Sequence, residues 1–362
     1  MRSDKSKKLS VTPTIKDVAD LAGVSVTTVS HALNQTRYVN HELVRRVQNA
    51  IKSLGYRPNA LARGLRRKET RIFGVVMPDN SNPYFAELAR SIEDACFEKG
   101  YSVILCNSDE NPVKEQAYLS LLVEKQVDGI VFVASENDCS ALRIVRDRDI
   151  PVVVLDRELK DVPYDSIVVD NRQGGRQATS HLIAGGHRRI GCICGPQHLT
   201  SAKERLQGYR DAISDARLPH DPRLIHAGNF HIGTGYTAME KLLGLSDPIT
   251  AVFASNDLMA IGALRAIAAL TLRVPDDISI VGFDDVSFAM YTEPPLTTIT
   301  QPLGEIGKLA TELLLGRVSG DHRGPRRYCL ATGLVVRASC GIEPVVRRQN
   351  SPRFPLRKKA ET

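Results

Sequence analysis

No tryptophan occurs in the 362 residues, and aromatic residues of all kinds make up only 5%. A sugar or base bound by this chain therefore lacks the broadest stacking platform and has to be held by hydrogen bonds and smaller rings. No apolar run reaches the roughly 18 residues that a membrane-spanning helix needs. The start, MRSDKSKKLSVTP, carries charge with no apolar stretch behind it, so neither a membrane segment nor a secretory signal is expected. The seven cysteines, at positions 96, 106, 139, 192, 194, 329 and 340, form no CxxC pair and no zinc spacing, which argues for a reducing compartment. Cys192 and Cys194 stand two apart in RIGCICG and read as small filler on one side of a strand. Catalytic signatures are missing as well. There is no GxGxxG after the first strand, no GxxxxGK[ST], no GxSxG elbow and no HExxH, and the nine histidines offer no defensible metal pair. No metal, cofactor or enzymatic activity is expected.

What the chain does contain begins at residue 14. In TIKDVADLAGVSVTTVSHALN, Thr14 and Asp17 form a capping box. Ile15, Val18, Ala19 and Ala22 make one apolar helical face, and Gly23 supplies the left-handed stop. Ser25 caps a second helix with Val29, Ala32 and Leu33 inward, while Thr27 and His31 point the other way. That outward face is small and polar, as contact with base edges and phosphates requires. Asn40 caps a third helix with Leu43, Val47, Ile51 and Leu54 on one side, which completes a three-helix unit. The next segment, GYRPNALARGLRR, is about two turns long and carries Gly64, so it is marginal in isolation and needs a partner to fold.

Charge is segregated in the same way. Residues 1 to 71 hold 15 Lys/Arg against 5 Asp/Glu, and residues 346 to 362 hold 6 against 1. The stretch between them is acidic, at −8 in a chain of net +7. A basic head on an acidic body is the footprint of phosphate binding. The tail, RRQNSPRFPLRKKAET, reads as disordered, either a solvated end or a source of extra nonspecific DNA affinity.

From residue 71 the pattern becomes short β-branched runs alternating with amphipathic helices. RIFGVVMP, YSVILCNS, VDGIVFVA and PVVVLD are predicted strands, with helices in FAELARSIEDACFEKG and EQAYLSLLVEKQ between them. From Asp165 the pattern repeats with SIVVD, RIGCICG, LIHAG, TAVFASN and ISIVGF, predicting a second lobe like the first. Ligands collect past the carboxyl ends of parallel strands. Those ends carry Asp79 to Phe85, Asp156-Arg157, Asn256-Asp257 and Asp284-Asp285, and Arg205 stands at the start of the helix ERLQGYRDAI. Carboxylates, guanidinium forks and a flat ring suit a polyol. Asp156 and Asp285 have a plainer reading as helix caps, and Arg157 as a partner for neighbouring acids.

Seven segments in order, TIKDVADLAGVS, TTVSHALNQTRYV, YRPNALARGL, HLIAGGHRRIG, SNDLMAIGAL, VPDDISIVGFDD and PPLTTITQP, resemble LacI-family transcriptional regulators over residues 14 to about 345. Within the family the head is most similar to the purine repressors. The resemblance implies an all-α helix-turn-helix DNA-binding head joined to an α/β two-lobed periplasmic-binding-protein-like core. The expected division is a basic extension at 1–13, the DNA-binding domain at 14–56, a hinge helix and linker at 57–70, the effector-binding and dimerisation domain at 71–345, and the basic tail at 346–362. The chain would cross between lobes near 164, 298 and 330.

By the same resemblance, Val26, Thr27 and His31 reach base edges in the major groove. Thr14, Ser25, Thr28, Asn34 and Arg37 hold phosphates or flank the reading helix. Leu65 is matched to a minor-groove wedge with Arg66 beside it, although a linker residue resting on the core is the plainer reading of that leucine. Asn82, Phe85, Arg157, Arg205, Phe230, Asp257 and Asp284 match effector contacts. The purine resemblance stops at the cleft, where Leu199 occupies the position of an arginine that reads the purine, so a sugar or sugar derivative is the expected effector. The implied partners are a near-palindromic duplex, a small molecule and a second copy of the chain, with segments around 71 to 122 supplying the dimer surface. No heptad leucine segment follows, so a dimer is expected rather than a tetramer. The competing readings are a sugar-binding receptor with no regulatory role on DNA and an enzyme acting on a small polar metabolite. The basic head and the missing signal argue against the first, the missing catalytic signatures against the second.

Overall fold

The chain divides into two units, residues 1–70 and 71–362. The computed structural model describes residues 13–34, 37–56, 69–135, 140–157 and 163–341.

The first unit is three helices, α1 (Ile15–Ala22), α2 (Val26–Asn34) and α3 (His41–Leu54). The Thr14 hydroxyl accepts from the Asp17 amide while the Thr14 amide donates to the Asp17 carboxylate, closing the expected box. Gly23 follows at φ 62°, a conformation that costs glycine little. Val18, Ala19, Ala22, Val29, Val47 and Ala50 form the core, with Val26, Ala32, Leu33 and Ile51 packed partly against it.

The second unit holds two six-stranded sheets. In the first lobe β1 (Ile72–Met77), β2 (Ser102–Asn107), β3 (Gly129–Phe132), β4 (Val152–Leu155), β5 (Asp165–Val169) and β11 (Arg327–Leu330) lie in the order β11-β5-β4-β3-β1-β2, all parallel. In the second, β6 (Ile190–Cys194), β7 (Ile225–Ala227), β8 (Ala251–Ala254), β9 (Ser279–Asp284), β10 (Thr297–Thr300) and β12 (Gly333–Val335) run β12-β10-β9-β8-β6-β7, with only β12 antiparallel. Helices cover both faces, which is why the central strands are apolar throughout. Those of the first lobe are α4 (Pro83–Glu98), α5 (Pro112–Glu124), the short α6 (Arg143–Arg146) and α11 (Leu303–Val318). Those of the second are α7 (Asn171–Ala184), α8 (Thr200–Asp215), α9 (Ile232–Leu243) and α10 (Asp257–Ala269).

One expectation is corrected. The run SIVVD does not open the second lobe. As β5 it pairs with β4 and β11 in the first sheet, so the first crossing lies after residue 169 and not near 164. Asp165 pins it there, its buried carboxylate gripped by Arg317 and Arg326. A short β-branched run announces a strand without saying which sheet will take it. The second crossing follows β10, whose successor α11 packs into the first core, and the third separates β11 from β12.

Candidate functional site

Between the lobes of the second unit lies a narrow cleft, lined by Asp79, Asn82, Tyr84, Phe85, Glu110, Asp156 and Arg157 on one side. Ser201, Arg205, Asn229, Phe230, His231, Asn256 and Asp284 line the other. Four of these residues hold positive-φ backbone conformations that non-glycine residues seldom adopt: Glu110 at φ 52°, Asp156 at 62°, Phe230 at 68° and Asp284 at 113°. Each stands at or just past the carboxyl end of a strand, where the surrounding sheet can hold a strained residue and aim its side chain into the gap.

Arg205 is the anchor of the second lobe. Its guanidinium stacks 3.7 Å from the Phe283 ring and 5.9 Å from Phe230. Nε donates to Asn171 Oδ1 at 2.8 Å, and Nη1 donates to the Ser255 carbonyl at 2.7 Å and to Asp284 Oδ1 at 3.2 Å. That leaves Nη2 without a protein partner among the described residues. Gln301 Nε2 donates to the same Asp284 oxygen at 2.8 Å, so Asp284 Oδ2 is also open. Burial pushes the Asp284 carboxyl up to about 7, against the pull of Arg205 and Gln301 and with help from the charge of Asp156.

The first lobe answers with Arg157, 2% exposed, whose Nε lies 3.3 Å from Asp156 Oδ2. Nε and Nη1 both lack a hydrogen bond. A guanidinium so buried and so poorly satisfied calls for an acceptor in the gap it lines. The Tyr84 hydroxyl lies 3.0 Å from Gln301 Oε1 and 3.4 Å from Asp156 Oδ1. Burial, then the charge of Asp156, raise its pKa well above the usual phenol range, so it stays a donor. A polar chain thus runs Arg157, Asp156, Tyr84, Gln301, Asp284, Arg205 from one lobe to the other.

The structure brings six of the seven expected effector residues into this cleft: Asn82, Phe85, Arg157, Arg205, Phe230 and Asp284. Asn82 also caps α4 through Tyr84 N, which leaves its amide nitrogen for other work. Asp257 is elsewhere. It is fully buried at the start of α10, where Oδ1 accepts from Thr298 Oγ1 at 2.6 Å and Oδ2 from the Val286 amide at 2.9 Å. Arg205 stands one turn inside α8, which starts at Thr200 and not at the expected ERLQG. Leu199 precedes that helix, 2% exposed and unable to donate. Tyr84 and Asn256, strand-end candidates in the sequence that the family resemblance does not match to effector contacts, line the cleft as well. Gln301, in the segment TITQP, carried no local signal at all.

In the first unit Thr27 is exposed, and Arg37 is exposed beyond α2. Val26 leans partly on the head core and His31 is half-buried. Ser25 and Thr28 bond to each other, the Thr28 amide donating to Ser25 Oγ at 3.0 Å. Thr14 is occupied by its cap. Asn34 closes α2. Leu65, Arg66 and the basic tail lie outside the described residues. Among the described residues no cluster suited to a metal ion occurs, and no helix is long and apolar enough to cross a membrane.

Comparison with known proteins adds sequence and structural relatives. Residues 14–59 match the bacterial regulatory proteins of the lacI family, and residues 179–340 match the periplasmic binding protein-like domain. The HTH-type transcriptional repressor PurR of Aliivibrio salmonicida is 40% identical over 328 residues, spanning 90% of this chain and 98% of the relative. The lac repressor dimer bound to operator and the anti-inducer ONPF superposes with a TM-score of 0.82 at 29% identity, covering 91% of this chain and 99% of that one. A LacI family transcriptional regulator from Enterococcus faecium with bound ribose superposes at 0.68 and 30% identity, over 74% of this chain and 98% of its own.

Proposed function

This chain belongs to the LacI family of bacterial regulatory proteins, and from that membership we propose that it represses transcription as a homodimer on a near-palindromic operator, its grip set by a small free sugar held between the lobes. It works by binding and not by turnover, in the cytoplasm where its DNA lies. The observation that carries the effector assignment is the pair of facing ion pairs, Arg157 with Asp156 and Arg205 with Asp284, that share one cleft. Their unmet groups are three donors, Arg157 Nε and Nη1 and Arg205 Nη2, and one acceptor, Asp284 Oδ2. Adjacent ring hydroxyls complement such a set, while Phe85 and Phe230 offer apolar faces for the C–H side of the ring. The relative with bound ribose favours a pentose. Four carboxylates around two guanidiniums make the cleft unwelcoming to a phosphorylated sugar.

A purine is the second reading, favoured by the PurR relatives. It is weakened by Leu199, which puts a methyl-bearing chain where a purine reader needs a donor.

On DNA, Val26, Thr27 and His31 meet base edges, while Ser25, Thr28, Asn34 and Arg37, with Thr14 at the helix start, lie along the phosphates. Leu65 wedges the minor groove with Arg66 next to it, bending the duplex onto a paired hinge. Effector binding alters lobe closure and thereby the pairing of the two hinges.

Thermal melting of the purified chain with D-ribose, D-glucose, cellobiose, ribose 5-phosphate and hypoxanthine tests this. The free pentose should raise the melting temperature, since a hundredfold excess over Kd adds about 2.7 kcal/mol to the native state. Arg205→Ala should abolish that shift and leave duplex affinity intact. A response to hypoxanthine alone, or an undiminished pentose response in the variant, would overturn the reading.

A further inference from the structure

One contact of the first unit ties its turn to its third helix. Arg46, in the second turn of α3, donates from Nη2 to the Ala22 carbonyl at 2.6 Å and to the Gly23 carbonyl at 3.2 Å. These oxygens stand at the end of α1. The amides of Gly23 and Val24 turn back to Ala19 and Asp20, so they close the carbonyls of the preceding turn and not these two. The last turn of α1 contains no basic residue of its own, and the guanidinium delivers a cation to the negative end of that helix from α3. Gly23 makes room for it: a Cβ at that position would lie 2.6 Å from Arg46 Nη2. The adjacent Arg45 behaves differently and pairs with Glu42 on its own helix. Arg46 has no acidic partner among the described residues.

Two residues beyond this clamp Ser25 caps α2, and Thr27 and His31 follow on that helix. A small tilt at the turn becomes a displacement of those side chains comparable to hydrogen-bond tolerance. We propose that Arg46 is a positioning residue for DNA reading, locking the turn so that α2 meets the base edges at one fixed angle.

A guanidinium that simply held a phosphate would affect all duplexes alike and would change the salt dependence. The test compares full-length wild type, Arg46→Gln and Arg46→Lys on two duplexes, one selected by wild type from a random-sequence pool and one of random sequence, over a salt series. Arg46→Gln should lose about tenfold or more on the selected duplex, the size of one lost base contact. Its random-duplex affinity should stay within about twofold, with the slope of log K against log salt unchanged. Amide exchange at Gly23 and Val24 should quicken while that of α3 holds. Arg46→Lys, whose ammonium can still reach a carbonyl, should recover part of the selectivity. The assignment fails if both affinities fall together with a slope shallower by roughly 0.9 per contact, which marks a phosphate ligand. It fails equally if both fall with the slope intact, which marks a folding defect, or if selectivity does not change.

Discussion

Asp284 is the residue on which the cleft turns. Its carboxyl titrates near 7 because burial and the charge of Asp156 outweigh Arg205 and Gln301, while an ordinary aspartate is ionised above about 4. Between those two pH values the native cleft holds a proton that the unfolded chain has released, so ligand-free stability falls as pH rises through this window. A sugar hydroxyl that donates to Oδ2 works in the opposite direction, since it favours the ionised form. Effector affinity should therefore weaken about tenfold from pH 8 to pH 6, with a proton released on binding. Isothermal titration in two buffers of different ionisation heat reads this directly. A flat profile in wild type, or a slope that survives Asp284→Asn, would show that the carboxylate does not touch the ligand.

At the scale of elements, the pair α7 and α8 decides whether Arg205 is aimed correctly. A Cβ on Gly208 would collide with the Arg172 carbonyl oxygen, and one on Gly175 with that of Arg205, so the two backbones touch with nothing between them. Asn171 on α7 accepts from Arg205 Nε on α8 across that contact. Gly208→Ala should force the helices apart, costing about 1–3 kcal/mol of stability. Effector affinity should fall further than melting temperature alone accounts for, as calorimetry on the variant would reveal. The sequence carried much of this layer. The capping box at Thr14, the stop at Gly23 and the apolar runs of β1 to β4 are local signals, readable from period and propensity. The lobe to which β5 belongs was not readable, because Arg317 and Arg326, which hold Asp165, arrive some 150 residues later in the chain. Asp257 was misplaced for a related reason. It follows a strand end as the cleft residues do, yet it turns inward to Thr298 and Val286. Tyr84 and Gln301 meet across 217 positions, a distance over which no spacing rule operates.

Over the whole molecule, reading and sensing are divided between two units, and regulation is the free energy that couples them. Reciprocity fixes its form: if the effector changes operator affinity by some factor, the operator must change effector affinity by the same factor. Coupling of about 1–3 kcal/mol, a 5- to 150-fold effect, is the usual range. Titrating effector onto the free protein and onto the operator complex should give Kd values differing by the ratio seen when operator is titrated with and without effector. Equal values in both titrations would mean that the cleft and the head are not coupled.

The polypeptide passes between the lobes three times, after β5, after β10 and between β11 and β12. A joint of three crossings opposes sliding and torsion more than a single one would, and it leaves bending as the soft motion. Compounds of different size in the cleft can then differ in how far they bend it but hardly in which way. Analogues should rank along a single scale of efficacy, from full to partial agonist, with occupancy and response separable at every step.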